Sequence, residues 1–257
     1  MGMDKLDNYN RLTELPALST NIRLFKALSV QGEALFIKQR DIGKDADTSA
    51  TELPDMDCLA VTLSAFSEAG QYVEVLAINE HELDLWQLVS RLPKQDLNLR
   101  LQAMLQLAQA VAEIHAQKLI CGYLNPRALY WNNDATSLSI LDLGHPSVVS
   151  QVNRHSLQGQ LDPVLLKVMA PEVTGRVNCP MDNRSDLYSL GTLCYFLATD
   201  RFPFEADDGM ELIHAQIAST APPPKELNPG LPTQVSKIIE RLLNKNPNDR
   251  YGDIQGV

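Results

Sequence analysis

The chain has no Cys-x-x-Cys pair, no apolar run of membrane-spanning length and fewer basic than acidic residues. Each absence excludes something. Cys58, Cys121, Cys179 and Cys194 are scattered, so neither a zinc site nor a disulfide framework is expected, and a reducing cytoplasm is the setting predicted. The five histidines are equally dispersed and form no metal set. Residues Met1 to Asn10 are polar and contain no signal-peptide core, and with no apolar run of sufficient length no membrane partner is expected. Lys and Arg number 22 against 32 Asp and Glu, and a net charge of −10 argues against a nucleic-acid surface. What remains is a globular chain, 44% hydrophobic and 21% charged, whose partners are proteins or small molecules.

The most informative stretch runs from Asp182 to Phe204. From Leu187 to Ala198 it is apolar or small on nearly every side, with Gly191 in the middle. A helix that is apolar all round is buried, and this one is too short to cross a bilayer. It is expected to be a central core helix over about 185–198, with Ser185 as its cap and Asp186 in the first turn, where the helix dipole favours a carboxylate.

The chain before it divides in two. Residues 11 to 80 read as strands, with one hairpin turning at Val30-Gln31-Gly32-Glu33 and a second at Ser67-Glu68-Ala69-Gly70. Residues 40 to 57 are polar and acidic and read as a loop or a weak helix. Further on, Leu101, Met104, Leu105, Ala108, Val111, Ala112 and His115 recur at helical spacing and predict an amphipathic helix with those residues on its buried face. A short hairpin is expected across Asn132-Asn133-Asp134, a long connection over 145–170, and two more helices over Asp208–Ser219 and Thr233–Asn244.

That order, read with Ala170-Pro171-Glu172, the run Asp186 to Gly191 and the run Asn246 to Tyr251, resembles the eukaryotic-type Ser/Thr protein kinase domain. Ala170-Pro171-Glu172 is similar to the end of the family's activation segment. Asp186-Leu187-Tyr188-Ser189-Leu190-Gly191 resembles the start of its central helix, and Asn246-Pro247-Asn248-Asp249-Arg250 a loop near its end. The resemblance implies an α+β, bilobal kinase-like fold. Residues 1–80 would form a small antiparallel β N-lobe with a reduced or missing αC helix, and 81–257 a larger helical C-lobe that stops within its last helix. It also implies structural roles: a buried ion pair between Glu172 and Arg250, and Asp186 as the tether of the catalytic loop. The run Ala170 to Asn178 is similar, more narrowly, to the kinase-like domains of large signalling proteins that continue into ATPase, GAF and histidine kinase modules.

Phosphoryl transfer is mostly positioning and charge neutralisation, so each missing part has a physical consequence. By resemblance Lys38, in Leu35-Phe36-Ile37-Lys38, holds phosphates and Asp142, in Leu141-Asp142-Leu143-Gly144, holds Mg²⁺. A lone carboxylate is a weak site for that ion, so no cofactor is expected, or at most weak Mg-ATP. Phe36 replaces a small residue of the adenine slot and is a candidate block. The segment Leu15 to Phe25, in place of the glycine-rich loop, contains no glycine to let backbone amides approach phosphate. Glu52 is the one glutamate placed to orient Lys38 from an αC helix.

The catalytic loop aligns with Cys121-Gly122-Tyr123-Leu124-Asn125-Pro126-Arg127-Ala128. Tyr123 replaces the catalytic aspartate, and a phenol with a reference pKa of about 10 cannot act as a carboxylate base at neutral pH. Ala128 replaces a metal-binding asparagine, while Cys121 and Gly122 replace histidine and arginine. The expected function is therefore a pseudokinase acting through protein partners or neighbouring domains. The alternatives are an active Ser/Thr kinase of atypical mechanism and a non-catalytic ATP-sensing switch.

Overall fold

The computed structural model describes residues 9–19, 22–41, 56–77, 82–93, 96–143 and 163–257. The first part is one antiparallel sheet of β1 (Tyr9–Ser19), β2 (Ile22–Ser29), β3 (Ala34–Asp41), β4 (Thr62–Glu68) and β5 (Gln71–Ala77), in the order β1-β2-β3-β5-β4. Both expected hairpins are present, and the left-handed backbone at Gly32, Ala69 and Gly70 closes them. Side chains alternate across the sheet, which separates two apolar layers. Phe25, Ala27, Leu35, Ile37, Val73 and Val75 form one, while Leu18, Ile22, Leu24, Phe36 and Leu76 form the other, against the helical lobe.

The helical part opens with β6 (Leu83–Asp84) and α1 (Leu85–Arg91), for which the sequence offers only a compact signal: Asp84 and Gln87 make a reciprocal capping box. Next come α2 (Leu97–Ala116), β7 (Leu129–Trp131), β8 (Leu138–Ile140), α3 (Pro163–Val168) and α4 (Asn183–Thr199). Last are α5 (Gly209–Ala218), α6 (Pro224–Leu227) and α7 (Thr233–Leu242). None of the helices in the described residues is long and apolar enough to cross a membrane.

The central helix is α4, buried from Ser185 to Thr199. Its cap is not Ser185 but Asp182, whose carboxylate accepts from the backbone N–H of Arg184. Ser185 lies inside the helix and donates its hydroxyl to Glu172 at 2.8 Å. The buried face of α2 also differs from expectation. It is Arg100, Ala103, Met104, Leu107, Ala110, Val111 and Ile114, while Leu105 is 55% exposed. The helix carries apolar residues on two sides, and the one that faces the core includes an arginine, which a hydrophobicity pattern rejects. Arg100 is fully buried because it donates to the carbonyls of Leu92, Pro93 and Leu197 and to the Asp200 carboxylate.

Gly191 sets the distance between α4 and α7. A Cβ there would lie 2.6 Å from Leu242 Cβ, an atom fixed to the backbone of α7, so the helices would have to separate. Gly191→Ala is expected to destabilise the fold by about 1–3 kcal/mol, the range for overpacking, as read by urea unfolding. A change within a few tenths would mean that the two helices do not pack so closely.

Candidate functional site

The two lobes face each other across one layer of side chains. On β3, Phe36, Lys38 and Arg40 point the same way, opposite Leu76, Glu74 and Tyr72 on β5. Below them lie Tyr130 on β7 and the segment Leu141–Leu143 that follows β8.

Lys38 is 6% exposed, and its ammonium is fully engaged. It meets Glu74 Oε2 at 2.7 Å and Asp142 Oδ1 at 3.2 Å, and donates to the Leu141 carbonyl at 3.2 Å. The nearer of the lysine's two acidic partners, Glu74, is thus on β5, directly across the strand pair. Glu52, together with the rest of the segment in which an αC helix was expected, lies outside the described residues. Arg40 reaches the same Asp142 oxygen at 3.4 Å. Glu74 and Arg40 were both missed by reading motifs, yet strand alternation marks them: Arg40 is two residues from Lys38, and Glu74 interrupts an apolar strand.

Phe36 is completely buried. Its ring lies 4.8 Å from that of Tyr130 at 60°, a tilted aromatic pair, within a cluster that also holds Leu18, Ile22, Leu24, Leu76, Ala128 and Leu141. Two bonds fasten β1 across the cleft to the loop after α2: Asn125 Nδ2 donates to the Leu18 carbonyl at 2.8 Å, and an Arg127 N–H to that of Ala17 at 3.2 Å.

That loop is built around Asp186. Its Oδ2 accepts from the Cys121 N–H at 3.0 Å and its Oδ1 from the Gly122 N–H at 2.6 Å. His115 Nε2 on α2 is 3.0 Å from Oδ2, so the carboxylate joins α2, the loop and α4. Gly122 has φ +78 and leaves 2.6 Å between a notional Cβ and Met181 Sδ, so both the backbone and the space disfavour a larger side chain. The Tyr123 phenol is pushed up from its usual range by burial and then by the nearby Asp142, further from any role as a base. Cys121 is raised by burial and by Asp186, which keeps it a thiol rather than a nucleophile. Ala128 is buried and carries no ligand atom.

Away from the cleft, Glu172 and Arg250 meet through two parallel bonds of 2.7 and 2.9 Å, with side chains 1% and 0% exposed. Among the described residues there is no cluster of three or more His, Cys, Asp or Glu able to hold a metal.

A β-sheet lobe over a helical lobe built on a buried central helix, with a lysine from β3 meeting Asp142 just after β8, defines a protein kinase fold. The family model for the protein kinase domain matches residues 61–256, and the chain belongs to that family. The autoinhibited serine kinase domain of the giant muscle protein titin superposes with a TM-score of 0.72 over 99% of this chain and 79% of that one, at 14% identity, a likeness of fold alone. A probable serine/threonine-protein kinase of Clostridium acetobutylicum is 26% identical over 65% of this chain and 25% of its own length. The hybrid signal transduction histidine kinase G of Dictyostelium discoideum is 44% identical over 35% of this chain, which is 3% of that protein. The chain thus spans a quarter or less of these two relatives.

Proposed function

We propose that this chain is a pseudokinase: a kinase-fold module that transfers no phosphate, binds Mg-ATP weakly or not at all, and acts through protein contacts. The observation that carries this reading is Phe36, fully buried against Tyr130 where the family places adenine. The loop chemistry supports it, since neither Tyr123 nor Ala128 can do the work of the residues they replace. The matches to signalling histidine kinases of Dictyostelium discoideum, Candida albicans and Schizosaccharomyces pombe support a setting in a longer cytoplasmic signalling protein, with neighbouring domains as partners.

Thermal unfolding with and without millimolar Mg-ATP tests it, and no shift is expected. A ligand at about 100 times its Kd would stabilise the fold by about 2.7 kcal/mol, a displacement of several degrees for a domain of this size. One observation favours a second reading, an ATP-sensing switch: Lys38 keeps both an acidic partner and its contact with Asp142. A shift that disappears in Lys38→Met would select that switch. Transfer of γ-phosphate to a protein substrate, lost in Asp142→Asn, would instead make the chain an active kinase.

A further inference from the structure

Asp142 is the one acidic residue that the catalytic motifs retain, and it is where the family's divalent ion would be sought. Mg²⁺ requires near-octahedral oxygen coordination, with carboxylates and substrate phosphates completing its shell. The donor set does not fit. The second family position is Ala128, and Asp142 Oδ1 already accepts from Lys38 at 3.2 Å and from Arg40 at 3.4 Å.

Among the described residues, four charged side chains meet here, Lys38, Arg40, Glu74 and Asp142, two of each sign. Lys38 links the two carboxylates, and Arg40 adds the second positive charge at Asp142. These four charges sum to zero without an ion. A divalent ion placed on Asp142 would lie beside two fixed cations and would leave the set at a net charge of two. Three of the four side chains are largely buried, and Arg40 is the most accessible at 28%. Repulsion among buried and partly buried charges is screened much less than among exposed ones.

We propose that Arg40 is the resident cation of this cleft, which neutralises Asp142 in place of a divalent ion and makes the site refuse Mg²⁺. This rests on the pseudokinase reading and gives it a residue: loss of metal comes from an added cation as well as from the missing asparagine. The signal was legible as an arginine two positions beyond the strand lysine, on the same face.

Mn²⁺, which shares the octahedral oxygen preference, serves as the probe, read by electron paramagnetic resonance or water-proton relaxation on the whole chain. Wild type and Asp142→Asn should bind it indistinguishably. Arg40→Gln, with its fold checked by circular dichroism, should bind Mn²⁺ at least about tenfold more tightly, and the Arg40→Gln/Asp142→Asn double variant should lose that gain. Arg40→Lys keeps the charge and should gain nothing. A wild-type Mn²⁺ site abolished by Asp142→Asn overturns the proposal without any Arg40 variant, and so does a folded Arg40→Gln that gains nothing. The two readings fail separately. An ATP shift of equal size in Mg²⁺ and in EDTA would end nucleotide independence yet leave Arg40 in its role, whereas Mn²⁺ binding by wild type would leave a negative ATP titration standing.

Discussion

Arg250→Met is expected to cost the fold about 3–5 kcal/mol, the range for removing one member of a buried ion pair. The arginine is unexposed and makes five bonds. Two go to the Glu172 carboxylate, and the others to the carbonyls of Arg184, Asn244 and Lys245. Methionine fills much of the same volume but donates nothing. It would leave a buried carboxylate whose remaining hydrogen bond is from Ser185, together with carbonyls cut off from water. Single domains have only about 5–15 kcal/mol of stability in total, so the loss is a large part of the whole. Urea unfolding of the variant beside Arg184→Ala supplies the control. Arg184 pairs with Asp182, but those side chains are 24% and 28% exposed, so water screens the pair more than it does Glu172 and Arg250, and its loss should cost closer to the roughly 1 kcal/mol of a surface pair. Equal losses in the two variants would show that burial does not set the value of the Glu172 pair. Pairing Arg250→Met with Glu172→Gln should restore part of the loss, because the stranded charge is then gone.

The helical lobe was legible wherever one physical requirement dominates a stretch of sequence. An unbroken apolar helix has only one place to go, so α4 could be recognised as the centre of the core from Leu187 to Ala198. The hairpins were legible for the same reason, since Gly32 and Gly70 sit where the backbone turns left-handed. Reading failed where a polar residue serves the core. Arg100 is buried because four acceptors surround it, two just before α2 and two at the far-off end of α4, and its presence shifted the assigned face of α2. The cap of α4 moved from Ser185 to Asp182 because Ser185 is needed by Glu172. In the cleft, motif spacing located Lys38, Phe36, Tyr123, Ala128 and Asp142. It could not locate Glu74 or Arg40, because their relation to Lys38 is a matter of strand register rather than of any motif. Asn125 and Arg127 belong with them. Their bonds to the β1 carbonyls follow from how the lobes close.

Phe36→Ala should have two effects of opposite sign in the same titration. Removing a fully buried phenyl ring costs about 3–5 kcal/mol, through lost transfer free energy and the cavity that remains. That cavity would be lined by Leu18, Leu24, Leu76, Tyr130 and Leu141, an apolar slot between the lobes. The Asn125 bond to the Leu18 carbonyl ties the roof of the slot to the C-lobe and opposes its collapse. Adenosine is a more direct probe than Mg-ATP, because the slot would admit a base, whereas among the described residues Lys38 and Asp142 are already engaged with Glu74, Arg40 and each other. The variant should therefore unfold at a lower temperature than wild type and recover part of the difference in millimolar adenosine, which should leave wild type unmoved. Phe36→Leu, which keeps most of the volume, should lose less stability and respond less. A destabilised Phe36→Ala that ignores adenosine would show that Phe36 fills a core position rather than a ligand's place, and the proposed inertness would then have to rest on Tyr123, Ala128 and Arg40. A cost below about 1 kcal/mol would contradict the packing itself, because no fully buried ring in a close-packed layer is lost so cheaply.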